Sequence, residues 1–370
     1  MRGLRIATIA GIPIEVNASW IVIFALIFWS LYSFLFPVTL PLLPRTTYLA
    51  MAFVATLLFF ASLLLHELSH SLVSMRFGMK VRRIILFIFG GISEATSEMP
   101  SARVEFLVAF AGPVMSFVLG GISWLVSVGL AQAGALPWVA VFQWLAIINV
   151  ALGLFNLLPG FPLDGGRVFR AIAWQITGNY RKASRWASVG GKSVGGLLIA
   201  YGVLRFVIGD LLGAIWFGFL GVLLYQAAAA SFSDVLIKDV LGQVDVGRLM
   251  SRDVRTLHPD QTLEDAVEST LSHYGFSGYP VEDEHHLEGL LLADDVRRVP
   301  HDEWPRLRVT QLMKPLDEKS ALRPDEPVSE ALEEFNRQGV GRLPVVKDGE
   351  LVGILSQTDI VRWIAWHQPD

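Results

Sequence analysis

The sequence predicts a polytopic α-helical membrane protein, with about six transmembrane helices and a short interfacial β element, joined to a soluble α/β tail. Three observations lead there. First, 53% of the 370 residues are hydrophobic and only 17% charged, with a mean hydropathy of +0.49; soluble domains carry about a quarter charged residues. Second, the apolarity is uneven: long apolar runs fill the chain to about Ala230, and charged sequence follows from Ser231. Third, the charged tail repeats itself. The expected division is a membrane domain over 1–232, a linker over 233–245, a first repeat over 246–299 and a second over 300–370.

A helix needs roughly 20 apolar residues to cross a hydrocarbon core. The runs that qualify are Ser19–Pro37, Tyr48–Ser74, Phe106–Leu130, Pro137–Leu158, Val194–Ile208 and Leu211–Ala230, the last two forming a tight hairpin around Gly209 and Asp210. Basic residues gather in alternate loops: Arg2 and Arg5; Arg76, Lys80, Arg82 and Arg83; Arg167, Arg170, Arg181, Lys182 and Arg185. The positive-inside rule then puts both termini and the tail in the cytoplasm of a multi-pass protein of the cell (inner) membrane. The N-terminus lacks an apolar core before a small-residue cleavage site, so no removable signal peptide is expected. Its Ile12–Val16 alternation reads as a short strand. The segment Val81–Ile92 is too short to span and rich in β-branched and aromatic residues, so it reads as one strand. Backbone of that kind must line an interface or cavity, where its edge offers a dock for an extended peptide.

A net charge of −4 gives no sign of nucleic-acid binding. No cysteine is present, which excludes disulfides and thiolate metal sites and leaves histidine and carboxylate as ligands. Within the second span lies Leu65-His66-Glu67-Leu68-Ser69-His70, which puts two imidazoles one helical turn apart on one face. Glu67 stands beside that face, placed to take a proton from a water at the metal. Ionisable groups at membrane depth cost on the order of 3 kcal/mol each, which favours a functional reading over a chance match. His66 and His70 are also the only histidines before residue 231. A catalytic zinc takes three protein ligands and leaves a position open, so a carboxylate must complete the set. Asp164 is the best candidate, in Asn156-Leu157-Leu158-Pro159-Gly160-Phe161-Pro162-Leu163-Asp164-Gly165-Gly166-Arg167, where prolines and glycines break the helix. Asp210 is the rival, on the opposite side of the membrane by the topology above.

The pairing of His66–His70 with Asn156…Pro159…Pro162-Leu163-Asp164-Gly165-Gly166 resembles the site-2 protease family of intramembrane metalloproteases, and Phe89-Gly90-Gly91 and Ala111-Gly112-Pro113 extend the likeness. The resemblance implies one Zn2+ per chain on His66, His70 and Asp164, with Glu67 as general base. It implies an oxyanion or substrate-positioning role for an asparagine of the fourth span, Asn156 by motif position or Asn149 earlier on the helix. It also implies a substrate strand near Phe89, Gly90 and Gly91. Ser116 departs from the family pattern, in which asparagine commonly follows the Gly-Pro of the third span; any substrate contact assigned there is in doubt.

In the tail, Leu263-Glu264-Asp265-Ala266-Val267 recurs as Val328-Ser329-Glu330-Ala331-Leu332, Tyr279-Pro280-Val281 as Leu343-Pro344-Val345, and Gly289–Val296 as Gly353–Ile360, at a spacing of about 64 residues. The two repeats resemble a pair of cystathionine-β-synthase-type (CBS) domains. That resemblance implies a nucleotide cleft for ATP, ADP or AMP and a homodimer through the CBS domains. Ser356 and Asp359 match the family's ribose-contacting hydroxyl and carboxylate, whereas the first copy keeps Asp295 but has Leu292 for the hydroxyl residue. One competent cleft is therefore expected.

The resulting expectation is a zinc metalloendopeptidase that hydrolyses peptide bonds in or near the transmembrane segment of membrane-tethered proteins, of the anti-sigma or pro-sigma factor type by family resemblance. A nucleotide-gated transporter or channel would need polar residues spread along several spans, and an inactive scaffold would have no use for Glu67.

Overall fold

The computed structural model describes residues 3–87, 90–95, 99–283, 286–316 and 321–367. The chain divides into two compact units, the first ending at Ser233 and the second beginning at Asp234.

The first unit opens with β1 (Leu4–Ile9) and β2 (Ile12–Val16), which turn through Ala10 and Gly11, both at positive φ. Helices α1 (Ser19–Thr39) and α2 (Arg45–Arg76) follow. Next come β3 (Val81–Phe87) and β4 (Gly90–Ala95), then α3 (Ala102–Gln132), α4 (Leu136–Asn156), α5 (Asp164–Thr177), α6 (Tyr180–Val207) and α7 (Leu211–Leu241). All of these helices except α5 are long and apolar enough to cross a membrane, six in total among the described residues.

Their burial pattern is that of a protein solvated by lipid. In α2 the residues turned inward include Thr56, Ser62, Ser69, Ser71 and Ser74, while Phe53, Leu57, Leu65 and Leu72 are exposed. Thr56, Ser62, Ser69 and Ser71 each donate to a carbonyl of their own helix, Thr56 Oγ1 to that of Ala52 at 2.7 Å and Ser69 Oγ to that of Leu65 at 2.8 Å. Small inner surfaces let helices approach closely. A Cβ on Gly153 of α4 would stand 2.9 Å from the Phe117 ring of α3.

Two expectations change. The fifth span starts at Tyr180 instead of Val194, because its basic first turns continue the helix beyond the apolar run, with Asn179 capping it through a 2.8 Å bond from the Lys182 N–H. The single strand expected over Val81–Ile92 is two antiparallel strands, with Phe87 opposite Gly90, where a φ of +132° suits glycine. Together with β1 and β2 they form a sheet of order β1-β2-β3-β4, in which β2 and β3 run parallel. Ile12, Ile14 and Ile84 pack this sheet on Leu68 of α2.

The second unit carries the duplication in its backbone register. Strands β5 (Gly278–Asp283) and β6 (His286–Leu292) pair Gly278 with Leu292 and Val281 with Gly289. The two-residue strand β7 (Lys314–Pro315) extends that sheet. After α8 (Val328–Gln338), strands β8 (Arg342–Lys347) and β9 (Glu350–Ser356) pair Arg342 with Ser356 and Val345 with Gly353. Each of these pairs lies 64 residues beyond its counterpart, and both hairpins carry a register shift directly after the valine. Helix α9 (Gln357–His367) follows. The opening segment of each repeat packs in the other's core: Val246 with Leu343 and Leu355, Val309 with Tyr279 and Leu291.

Candidate metal centre

His66 and His70 stand one turn apart on α2 and are 2% and 6% exposed. Asp164 is the first residue of α5. The three side chains meet: Asp164 Oδ2 lies 3.1 Å from His66 Nε2 and 3.2 Å from His70 Nε2, and the two Nε2 atoms are 3.3 Å apart. They form the metal-compatible cluster found among the described residues.

The protonation of this cluster follows from what lies behind it. His70 Nδ1 is 2.7 Å from the Val108 carbonyl, which only accepts, so Nδ1 carries the proton and Nε2 of the neutral ring presents a lone pair. His66 Nδ1 is 2.8 Å from Ser116 Oγ. With Ser116 Oγ accepting from His66 Nδ1, two imidazole nitrogens and a carboxylate oxygen converge as acceptors, an arrangement that calls for a cation in the middle. Ligands at about 2.0–2.1 Å in a zinc tetrahedron stand roughly 3.3 Å from one another, so the three separations seen here describe one face of such a tetrahedron. The donor set fits zinc, and the back-side bonds to Ser116 and Val108 are the kind that orient zinc-binding histidines.

Two glycines keep the space open. A Cβ on Gly112 of α3 would stand 2.6 Å from His66 Nε2, and one on Gly91 of β4 would overlap the Cγ of Glu67. Pro113 follows Gly112 inside α3. Glu67 is thus enclosed between α2 and β4, and Ser71 Oγ bonds Ser93 Oγ at 2.9 Å to tie the same strand to the same helix.

The loop that delivers Asp164 is held by close backbone packing. The Phe161 N–H donates to the Ala187 carbonyl of α6 at 3.2 Å, and the Gly166 N–H to that of Leu163 at 3.0 Å. Side chains at Gly165 or Gly166 would run into the backbone of Leu157 and Gly160, which explains the pair of glycines after the aspartate.

The other expected residues fall as follows. Asn156 is the last residue of α4, and its side-chain amide has no hydrogen-bond partner among the described residues. Asn149 is buried and donates to Ser62 Oγ at 3.3 Å and the Leu145 carbonyl at 2.8 Å. Asp210 caps α7 by accepting the Gly213 N–H at 2.9 Å and pairs with Arg205, and these two partners hold its carboxyl below the usual range; it does not join the cluster. Gly90 and Gly91 begin β4, while Phe89 lies outside the described residues. Arg170, read as a loop cation, is instead buried and paired with Glu105. Nothing in the sequence places Ser116, Gly112 and the Val108 carbonyl at the centre, because only the fold brings them to the imidazoles.

In the second unit, Ser356 and Asp359 line a cavity of about 270 Å³ together with Arg255, Phe276 and Arg342. Asp359 Oδ2 accepts from Ser356 Oγ at 2.6 Å and from the Ser356 N–H at 3.1 Å. Arg342 lies 4.2 Å over the Phe276 ring, and its burial there lowers its pKa against the opposing pull of Asp359. Asp295 is not among the lining residues and pairs with Arg298 at 3.4 Å.

A membrane bundle that encloses this donor set beside a glutamate belongs, by class, with the membrane-embedded metallopeptidases. Comparison with known proteins agrees. Peptidase family M50 matches residues 54–135 and 127–195, and the CBS domain matches 246–302 and 310–365. Rip3 of Mycobacterium tuberculosis is 33% identical over 98% of this chain and 92% of its own length. The Synechocystis sp. protein sll0528 is 32% identical over 97% of this chain and 94% of its own; both carry zinc metalloprotease in their names. A solved structure described as a site-2 protease from Methanocaldococcus jannaschii is 26% identical, covering 62% of this chain and 95% of that one at a TM-score of 0.42. The chain belongs to the site-2 protease family, peptidase M50, and carries two CBS domains after its membrane unit.

Proposed function

We propose that the protein is a zinc endopeptidase that cuts membrane-tethered proteins in or beside their transmembrane segment. The observation that carries this reading is the convergence of three acceptor atoms within 3.3 Å of one another, with Glu67 on the next residue of the same helix. His66, His70 and Asp164 would hold the zinc. A zinc in such a site lowers the pKa of water and polarises a carbonyl.

The chain's own residues supply the rest. Glu67 takes the proton of the attacking water at a carboxylate oxygen and returns it to the departing amine nitrogen. The Val108 carbonyl accepts from His70 Nδ1 and so keeps its Nε2 lone pair aimed inward; Ser116 Oγ, accepting from His66 Nδ1, would do the same for His66. Asn156, its amide uncommitted, is the donor assigned to the carbonyl oxygen as it gains charge; the amide of Asn149 is already spent on Ser62 and Leu145. A helical substrate must unwind before its amide can be reached. Among the described residues β4 pairs with β3 alone, so its outer edge can hold the unwound segment as an added strand next to Glu67. Substrates of the anti-sigma or pro-sigma factor type fit this reading, with both termini and the CBS domains in the cytoplasm of a cell-membrane protein.

The CBS pair is assigned to adenine nucleotide sensing. Asp359 and Ser356 offer oxygens for ribose hydroxyls, and Arg342, poorly solvated over Phe276, offers a guanidinium for phosphate. The Asp295 side has a leucine where the hydroxyl is needed, so one cleft per chain is proposed, with pairing of two chains through these domains.

The test is cleavage of a membrane-tethered candidate substrate in proteoliposomes by wild type and Glu67→Gln, with zinc measured in both. The reading requires equal zinc and cleavage by wild type alone. Equal cleavage by both proteins refutes it.

A further inference from the structure

Glu105, near the start of α3, is fully buried, and Arg170 of α5 is 8% exposed. Arg170 grips one oxygen of Glu105 with two donors, Nε at 2.7 Å and Nη2. The second oxygen, Oε2, is buried without a hydrogen-bond partner among the described residues. The same guanidinium lies 4.8 Å over the ring of Phe161 and 4.7 Å over that of Tyr180. One cation thus joins four pieces of chain: the first turns of α3, the loop that precedes Asp164, α5 itself and the start of α6.

This junction bears on the metal centre from both sides. α3 carries Gly112, Ser116 and the Val108 carbonyl, all of which frame the imidazoles. α5 begins at Asp164, and Phe161 lies just ahead of it. The Asp164 carboxylate lies 3.1 and 3.2 Å from the two imidazole Nε2 atoms and has no other polar partner among the described residues. Its aim is therefore set by where the first turn of α5 sits, and Arg170 fixes that seat relative to α3.

A stabilising role alone does not account for the pair. Taking two charges out of water offsets most of their attraction, and apolar pairs of similar volume commonly serve stability as well or better. What a forked guanidinium gripped by a carboxylate and flanked by two rings supplies is a fixed geometry.

The geometry points to Arg170 and Glu105 as positioning residues that hold Asp164 in register with His66 and His70. The inference rests on the metal reading given above. It is tested on the purified full-length chain by zinc affinity, measured by competition with a chelator, independently of any substrate. Arg170→Met and Arg170→Lys, the second of which keeps the charge but loses the fork, are compared in the wild-type background and in Asp164→Ala. Positioning through Asp164 predicts about tenfold weaker zinc binding for both variants in the wild-type background, and no further loss in the Asp164→Ala background. The apolar double replacement Glu105→Leu with Arg170→Met keeps the core filled and, with helix content unchanged, should show the same loss. Unchanged affinity overturns the inference, as does an equal loss with and without Asp164, which is the behaviour of a general structural defect. A wild-type chain that binds no zinc overturns the metal reading itself and this role with it.

Discussion

Replacing Gly112 by alanine sets two effects of opposite sign against each other. In a helix interior, Ala is favoured over Gly by about 1 kcal/mol. At this position, however, the new methyl would stand 2.6 Å from His66 Nε2 and closer still to His70 Nε2. The rings cannot simply retreat, because Ser116 and the Val108 carbonyl hold their far sides at 2.8 and 2.7 Å. Overpacking of this kind costs about 1–3 kcal/mol, so the net change in stability should be small or modestly unfavourable. A zinc held by His66, His70 and Asp164 would feel the displacement directly. A shifted imidazole should lower zinc affinity about 10–100-fold, or roughly 1.4–2.8 kcal/mol at 1.4 kcal/mol per tenfold. The assay is chelator competition on purified Gly112→Ala, with unfolding followed in parallel. Gly121→Ala is the control: it lies in the same helix, nothing lies within 4 Å of its added Cβ, and it should bind zinc as wild type does. Wild-type affinity in Gly112→Ala would refute the account of how the pocket is kept open.

The remaining predictions are these. Ser116→Ala removes the 2.8 Å partner of His66 Nδ1 and should weaken zinc binding about tenfold, read by the same competition. Successive N–H groups along a strand face opposite edges, so of Ile92→Pro and Ser93→Pro one should keep β3 pairing and zinc content while cutting cleavage severalfold; normal turnover by both would count against the substrate strand. Asp359→Ala or Arg342→Ala should weaken AMP or ATP binding at least about tenfold, since each removes a charged contact, whereas Asp295→Ala should leave it unchanged in titration calorimetry. Chelation should abolish cleavage, and added zinc should restore it.

What was legible in the sequence was local. His66 and His70 announce themselves because a spacing of one helical turn brings two imidazoles to one face, and a membrane span is a costly place for them. Asp164 could be picked out because the prolines and glycines around it mark the place where a helix must break. The CBS pair was legible because a repeat preserves register, as the 64-residue offset between the two hairpins shows. What escaped was tertiary. Gly112 and Ser116 stand out in the sequence only as part of the family likeness and as a departure from it, and their place against the imidazoles appears once α3 lies against α2. Arg170 looked like a loop cation because its partner Glu105 lies far away in the chain. Strand β1 escaped because all six of its residues are exposed, so no alternation of buried and exposed positions marks it.

X-ray absorption at the zinc edge of the purified chain reads out whether His66, His70 and Asp164 close on one zinc. Such closure predicts one zinc per chain with two imidazole nitrogens and oxygen ligands at about 2.0–2.1 Å, and a disturbed oxygen shell in Asp164→Ala. A chain without zinc, or a shell lacking two imidazoles, would contradict it.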